Sequence, residues 1–423
     1  MSRRLGVIVV CRAVAPLHGF GGLERHTYDL VRHLLKRDVA VTLITKPPSQ
    51  GAPHAHEAFG PSLRTHFVPY RTAPFAGRRG TTVIDRSTAY PLFGLRAGRL
   101  AAELVHRGDV QIVHGMGAAC LGYARERRDD FYGTVPLVFN PHGMEEFGST
   151  GAALPAIKRA AYGPLRRAVR ACASSADCVI ATDRGLVRVV RRHLDVGEDK
   201  IAVVPNAVDF DGIDRDASAA TAVSLRGGLG LGPDDVLLVS VGRLEQNKGF
   251  QHLLAAVADL GKKGTLGKQW RSVIVGEGSE RTHLERAIAD MGLGKHVLLV
   301  GRVDAAALHG WYEAATLFVH PTLYEGSSIA TLEAMAHGRA VVASEAGGLP
   351  DKVRPGASGW LVPPGDTHAL ASAIEHAVGH RDRLRDMGNE GRAIVEREFS
   401  WSAAADRLLE LYELLLTGHH FRT

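Results

Sequence analysis

The sequence predicts an α/β protein of two doubly wound, parallel-sheet domains facing each other across a cleft. Three observations point there. The chain has 423 residues, too many for one ordinary hydrophobic core and enough for two domains of about 200 residues each. Short runs of Val, Ile and Leu alternate with amphipathic stretches, as sheets covered on both faces require. The pattern then restarts after a polar stretch at 205–235.

In the first half, Leu5–Val10 reads as a buried strand leading through a glycine loop, His18–Gly22, into a helix over Leu23–Lys36. Strands follow at Val39–Thr45, Val110–His114, Leu137–Asn140, Cys178–Thr182 and Ile201–Val204. Pro47–Gly80, rich in Pro, Gly and His, reads as a long loop. In the second half Val236–Val241 is a strand, Phe250–Lys262 a helix, Ser272–Val275 a strand and Arg281–Met291 a helix. Val297–Val300, Leu317–His320 and Ala340–Ala343 continue the sheet. The tail Trp401–Leu416 places Leu408, Leu409, Tyr412, Leu415 and Leu416 on an apolar helical face. Domains of 1–205 and 206–400 follow, with a closing helix in 401–423. Ligands of such sheets bind outside the carboxyl ends of the strands, so the cleft is the expected site.

Composition narrows the class. With 45% hydrophobic and 23% charged residues the chain reads as soluble and globular. No apolar run approaches the ~20 residues of a membrane span. The opening MSRRLGVIVVCRAVA is interrupted by Arg12 and suits a first strand better than a signal peptide. Cys11, Cys120, Cys172 and Cys178 lack metal-ligand or redox spacing, which points to a reducing cytoplasm. Residues 1–205 hold 29 Lys and Arg against 17 Asp and Glu, and residues 206–423 hold 22 against 28. Halves near +12 and −6 suggest separate surfaces with separate partners. Lys158, Arg159, Arg166, Arg167 and Arg170 gather in one helical stretch interrupted by Pro164, with Arg188, Arg191 and Arg192 beyond. That face is either simply solvated or docks an anionic partner, a phosphorylated acceptor or the inner face of a membrane. Nothing resembles a nucleic-acid module.

The chemistry concentrates in the second half. In GRLEQNKG, Gly242–Gly249, Arg243 and Lys248 stand five apart in a loop between strand and helix. Such a loop can aim a guanidinium and an ammonium at one pyrophosphate, and the helix amino end adds partial positive charge. Fixed cations stabilise the negative charge that grows on a leaving diphosphate. Glu325 and Glu333 stand eight apart, the first in a loop and the second on a helix. That spacing does not place them as a glycosidase-style acid/base pair. Glu333 suits the vicinal hydroxyls of a ribose. Glu325 and the amides of Gly326, Ser327 and Ser328 suit a sugar and a phosphate oxygen. The glycine pairs in Ala346–Pro350 and the stretch Gly359–Asp366 read as turns. His142 follows a strand as a hydrogen-bonding group, whereas His114 and His320 fit packing or support.

Taken in order, these motifs resemble the retaining GT-B glycosyltransferases of family 4 (group 1), built of two Rossmann-like domains. The resemblance runs through GGLERH, the HG of His142–Gly143, PNAVD, GRLEQNKG, VGEGSERTHLE, YEGSSIATLEAMA, GGLPDKV, SGWLVPPGD and FSW. It implies that Arg243 and Lys248 bind the donor diphosphate, that Glu333 binds the ribose and that Glu325 contacts the donor sugar. It implies donor contacts from Gly326, Ser327, Ser328 and Ile329, with Arg302 and Val303 beside the base. Gly21 and Gly22 would close over donor and acceptor, His142 would lie near the transferred sugar, and the closing helix would return to the first domain. The donor implied is UDP- or GDP-linked, with no cofactor and no metal, and the acceptor stays unnamed. Ala207, Asp351 and the pair Ser327–Ser328 depart from the commoner pattern, which bears on the sugar rather than on the diphosphate.

Two rivals fare worse. A dinucleotide fold would need a third glycine where Glu24 stands, and an acid where the second strand ends in Thr45-Lys46. Asp-x-Asp pairs at Asp209–Asp211 and Asp214–Asp216 match the metal-dependent GT-A pattern but lie in the polar linker. A catalytically silent binder of nucleotide sugars would carry the same donor residues as an enzyme.

Overall fold

The structure is a computed structural model that describes residues 4–19, 21–72, 82–127, 135–142, 144–147, 156–216 and 218–418. The chain divides into two compact units, Met1–Pro205 with Ala404–Thr423, and Asn206–Ala403.

The first unit is built on seven strands: β1 Gly6–Val10, β2 Ala40–Thr45, β3 Arg64–Phe67, β4 Ile112–Met116, β5 Leu137–Asn140, β6 Cys178–Ala181 and β7 Ile201–Val203. They lie in the order β3-β2-β1-β4-β5-β6-β7, and every ladder is parallel. All residues of β1, β4, β5 and β6 are buried, which explains their unbroken apolar runs. Ile8, Val10, Val113, Phe139 and Val179 join one core with the covering helices. The strand order turns between β1 and β4.

The second unit carries six strands: β8 Val236–Val241, β9 Trp270–Val275, β10 Val297–Gly301, β11 Leu317–His320, β12 Val341–Ser344 and β13 Gly359–Val362. Their order is β10-β9-β8-β11-β12-β13, again with parallel ladders, and it turns between β8 and β11.

Several expectations are corrected. Pro47–Gly80 is not a structureless loop, since it holds a short helix, Ala55–Phe59, and the edge strand β3. β3 has no buried residue, so the apolar signal that marks inner strands is missing. The stretch Gly359–Asp366 is not all turn: Gly359–Val362 is β13, the edge of the second sheet. The polar stretch after Pro205 is not a bare linker: within the second unit, as the boundary at 206 anticipated, it contains helices Phe210–Asp216 and Ala219–Gly228. The basic stretch is two helices, Ala156–Ala161 and Gly163–Ser175, interrupted as expected beside Pro164, which sits in the first turn of the second, where proline is suited. The longest helix, Thr82–His106, contains Pro91, Gly94 and Gly98 and so reads poorly as a helix. A Cβ at Gly94 would meet the Ala118 carbonyl oxygen at 1.8 Å, and one at Gly98 the Tyr123 nitrogen at 2.3 Å. These glycines let neighbouring backbones approach.

The closing helix, Trp401–Thr417, passes from one unit to the other at Ala403–Ala404. Within the first unit it buries Leu408, Leu411 and Tyr412 but leaves Leu416 exposed, contrary to the apolar face expected. The Tyr412 hydroxyl lies 2.7 Å from His114 Nδ1, and Asp406 pairs with Arg37 at 2.7 Å. His114 is therefore structural, as its sequence context suggested.

Burial, reinforced slightly by His26, lowers the pKa of His114 from 6.5 to about 3. The unfolded chain takes up this proton below pH 6.5 while the folded one resists, so stability falls with falling pH across that window. The slope for this histidine approaches about 1.4 kcal/mol per pH unit. His114→Phe should flatten the acid limb of the melting-temperature profile between pH 6 and pH 4; an unchanged slope would refute the assignment.

Candidate functional site

The point where a doubly wound sheet reverses its strand order leaves a crevice outside the strand carboxyl ends. In the second unit that point lies between β8 and β11, and the loops after these strands are Gly242–Gly249 and Pro321–Ser328. The two loops are bonded to each other. Leu323 N–H and the Thr322 hydroxyl both donate to the Asn247 carbonyl, at 2.8 and 3.0 Å.

This pairing brings Lys248 to Glu325. The Lys248 ammonium lies 2.5 Å from Glu325 Oε2, and both side chains are 13% exposed. His320, the last residue of β11, reaches the same oxygen through Nε2 at 3.0 Å. Burial pushes the Glu325 carboxyl up, but the His320 hydrogen bond and the Lys248 charge outweigh it and hold the group at about 2. Glu325 is thus ionised across the physiological range. Arg243 is exposed and pairs with Glu245 of its own loop at 2.7 Å.

The following helix, Ile329–Ala336, is capped by the Ser328 hydroxyl, which accepts from Thr331 N–H at 3.2 Å. That hydroxyl also lies 3.3 Å from His320 Nε2. Ser328 can therefore offer a ligand its amide rather than its side chain. Ser327 Oγ is buried without a hydrogen-bond partner among the described residues, and an orphaned polar atom in a crevice marks a place for a ligand atom. Ile329 packs against the unit's core, so only its backbone faces this role. One turn further along the helix, the buried Tyr312 donates to Glu333 Oε2 at 2.7 Å. No periodicity or motif signals Tyr312. Arg302 and Val303 follow β10; Arg302 is exposed, and Val303 packs against the core.

The loop Ala346–Pro350 proves to be a brace rather than an isolated turn. Gly348 N–H donates to the Gly326 carbonyl at 3.1 Å, and the buried Lys352 ammonium donates to the Gly348 carbonyl at 2.9 Å. Gly347 has φ +54°, and a Cβ there would lie 1.5 Å from the Glu325 carbonyl oxygen.

The first unit holds the remaining candidates. Gly21 precedes the helix Gly22–Lys36 and leaves its end without a side-chain cap. His142 adopts φ +58°, its N–H donates to Asn140 Oδ1 at 3.1 Å, and its ring lies edge-on to His26 at 5.2 Å. Burial, then the neighbouring His26 and His114, lowers its pKa well below 6.5 and keeps it neutral. His26 is the further group that the sequence did not single out, and burial lowers it to about 4.

Among the described residues no group of three or more His, Cys, Asp or Glu could hold a metal ion. No helix there is long and apolar enough to cross a membrane. A cavity of about 1070 Å³ in the second unit is lined by Asp235, Thr316 and Ala340, which precede β8, β11 and β12, so it lies at the amino ends of the strands. Its Arg226 and Arg339 are already bound to backbone carbonyls, among them Ala314, Asp235 and Ala315.

Two Rossmann-like units in one chain, with these loops at the turning point of the second, match the architecture of GT-B glycosyltransferases. The comparisons agree. The family model described as "Glycosyltransferase Family 4" matches residues 20–211, and that described as "Glycosyl transferases group 1" matches 224–394. The alpha-maltose-1-phosphate synthase of Mycolicibacterium smegmatis is 32% identical over 77% of this chain and 86% of its own length. The D-inositol 3-phosphate glycosyltransferase of Nocardia farcinica is 28% identical over 95% of this chain and 86% of its own. Sucrose-phosphate synthase from Thermosynechococcus elongatus superposes with a TM-score of 0.73 at 24% identity, over 98% of this chain and all of that one. The chain belongs to the group 1, family 4 glycosyltransferases, and it is a transferase enzyme.

The brace gives a test. Gly347→Ala adds a Cβ where the Glu325 carbonyl stands and places a side chain at positive φ, a strain of about 1–3 kcal/mol. Its melting temperature should fall by several degrees; wild-type stability would show that the two loops are not in contact.

Proposed function

We propose that the enzyme transfers a hexosyl group from a nucleoside-diphosphate sugar, UDP- or GDP-linked, to an acceptor hydroxyl, with retention of anomeric configuration and without a metal. The observation that carries this reading is the Lys248–Glu325 pair at the turning point of the second sheet, beside the orphaned Ser327 hydroxyl. Lys248 and Arg243 take the charge of the leaving diphosphate. Glu333, oriented by Tyr312, accepts from the ribose hydroxyls, and Arg302 and Val303 flank the base. Glu325 and the amides of Gly326, Ser327, Ser328 and Ile329 hold the sugar and a phosphate oxygen. His142, neutral through burial, hydrogen-bonds the sugar, and Gly21 and Gly22 line the approach. The anomeric carbon loses its bond to the phosphate oxygen and gains one to the acceptor oxygen on the same face. The acceptor proton passes to the leaving diphosphate.

The test is transfer from UDP-, GDP- and ADP-sugars to an acceptor panel in the presence of EDTA, with the product anomer read by NMR. Because relatives are named for inositol phosphate and maltose 1-phosphate, cyclitol and sugar phosphates belong in the panel. Lys248→Ala should lower kcat/KM by about 10²–10³-fold. An inverted product, or turnover that EDTA abolishes and magnesium restores, overturns the mechanism. Tight binding without transfer to any acceptor would favour a silent binder.

The basic face of the first unit supports peripheral contact with an anionic lipid surface. Arg167 and Arg170 are exposed on helix Gly163–Ser175, and Arg184, Arg188, Arg191 and Arg192 on helix Arg184–Leu194. Arg170 donates to the His193 carbonyl at 2.8 Å, joining the two helices. Asp177 accepts from Leu137 N–H and Asp183 caps the second helix, each at 2.7 Å, whereas Glu198 pairs with Arg191 at 2.9 Å and offsets that one cation. Ile157, 84% exposed, stands beside Lys158 and Arg159. Each such cation is worth about 1 kcal/mol near an anionic leaflet. The protein should co-sediment with phosphatidylglycerol vesicles at low salt but not with phosphatidylcholine vesicles, and Arg167→Glu with Arg188→Glu should release it. Equal sedimentation with both lipids, or with neither, removes the membrane contact.

A further inference from the structure

His320 has no part in the scheme above, yet its geometry gives it one. It is 2% exposed, and its ring lies nearly parallel to that of Phe318. Its Nδ1 is buried without a partner among the described residues. An ionised carboxylate can only accept, so Nε2 carries an N–H and donates it to Glu325 Oε2. Lys248 meets the same oxygen, while Glu325 Oε1 makes no hydrogen bond among the described residues.

This fork answers a conflict in the donor site. Lys248 is bound to Glu325 in the free protein, yet a diphosphate needs the same ammonium. If Lys248 were the sole donor to Glu325, turning it toward phosphate would strand a nearly buried carboxylate, which is strongly disfavoured. We propose that His320 is a positioning residue that keeps Glu325 satisfied and in place while Lys248 turns its ammonium to the donor diphosphate. The proposal rests on the donor-site reading above. His320 holds one oxygen from the strand side, Lys248 is released, and Oε1 stays directed to the sugar.

A double-mutant cycle on binding of UDP, GDP and ADP, read by calorimetry on the full chain, tests this. His320→Leu should weaken the preferred diphosphate on the order of tenfold, because Lys248 stays clamped to Glu325. His320→Gln, which keeps an N–H donor, should restore most of the affinity. In a Glu325→Gln background the carboxylate no longer clamps Lys248, so adding His320→Leu should cost nothing further. A merely structural histidine would give the same loss in both backgrounds, and that result overturns the proposal, as does unchanged affinity in His320→Leu. Should His320→Leu fail to fold, the same cycle with the shorter His320→Asn decides by the same criteria. If the wild-type protein binds none of the three diphosphates, the donor-site reading falls and takes this proposal with it. Wild-type binding without coupling removes this proposal alone.

Discussion

A carboxylate almost sealed from water must be met by donors, and the carboxyl ends of β8 and β11 are arranged around that requirement at Glu325. Burial alone would favour its neutral form, whereas His320 and Lys248 hold it ionised. Each partner depends on a different part of the chain. His320 comes from the end of a buried strand, and Lys248 from a loop tied to the Pro321–Ser328 segment through the Asn247 carbonyl. The glycine-rich loop at 346–350 supports the backbone of Glu325 and Gly326 from outside. With both partners gone the buried carboxylate would be stranded, so the pair shares the task of holding it.

Much of this was legible in the sequence because buried parallel strands advertise themselves. Gly6–Val10, Leu137–Asn140 and Leu317–His320 lie where continuous apolar runs place them, and all are buried. What escaped follows the same physics in reverse. β3 borders solvent and so lacks an apolar signal, and β13 is bounded by a glycine and two prolines. Helix Thr82–His106 carries glycines because its neighbours come too close for side chains, so a packing demand hides it from propensity. At the site, the Arg243–Lys248 loop and the Glu325–Glu333 segment were marked by residue type and spacing. Tyr312 and His26 were not, because an aromatic hydroxyl or an imidazole acquires such a partner only through the fold. The role of the 346–350 loop was likewise invisible, since a brace and a free turn share the same glycines.

In the first unit burial keeps His26 neutral, and burial with neighbouring histidines does the same for His114 and His142. In the second, fully charged groups are paired, as at Lys248–Glu325. A neutral hydrogen-bonding surface suits hydroxyl-rich partners, and paired charges suit a partner that brings charge of its own.

The return of the closing helix to the first unit also governs the order in which the protein can be completed. His114 waits for a partner 298 residues further along the chain. On the ribosome the whole of Asn206–Ala403 is made before Leu408, Leu411 and Tyr412 emerge to cover the first unit. The unit translated first is therefore the last to be finished, and it holds an uncovered apolar face during synthesis of the other. Such an interval exposes a chain to chaperones and to mispairing. It makes the helix Trp401–Thr417 a checkpoint on the unit made before it.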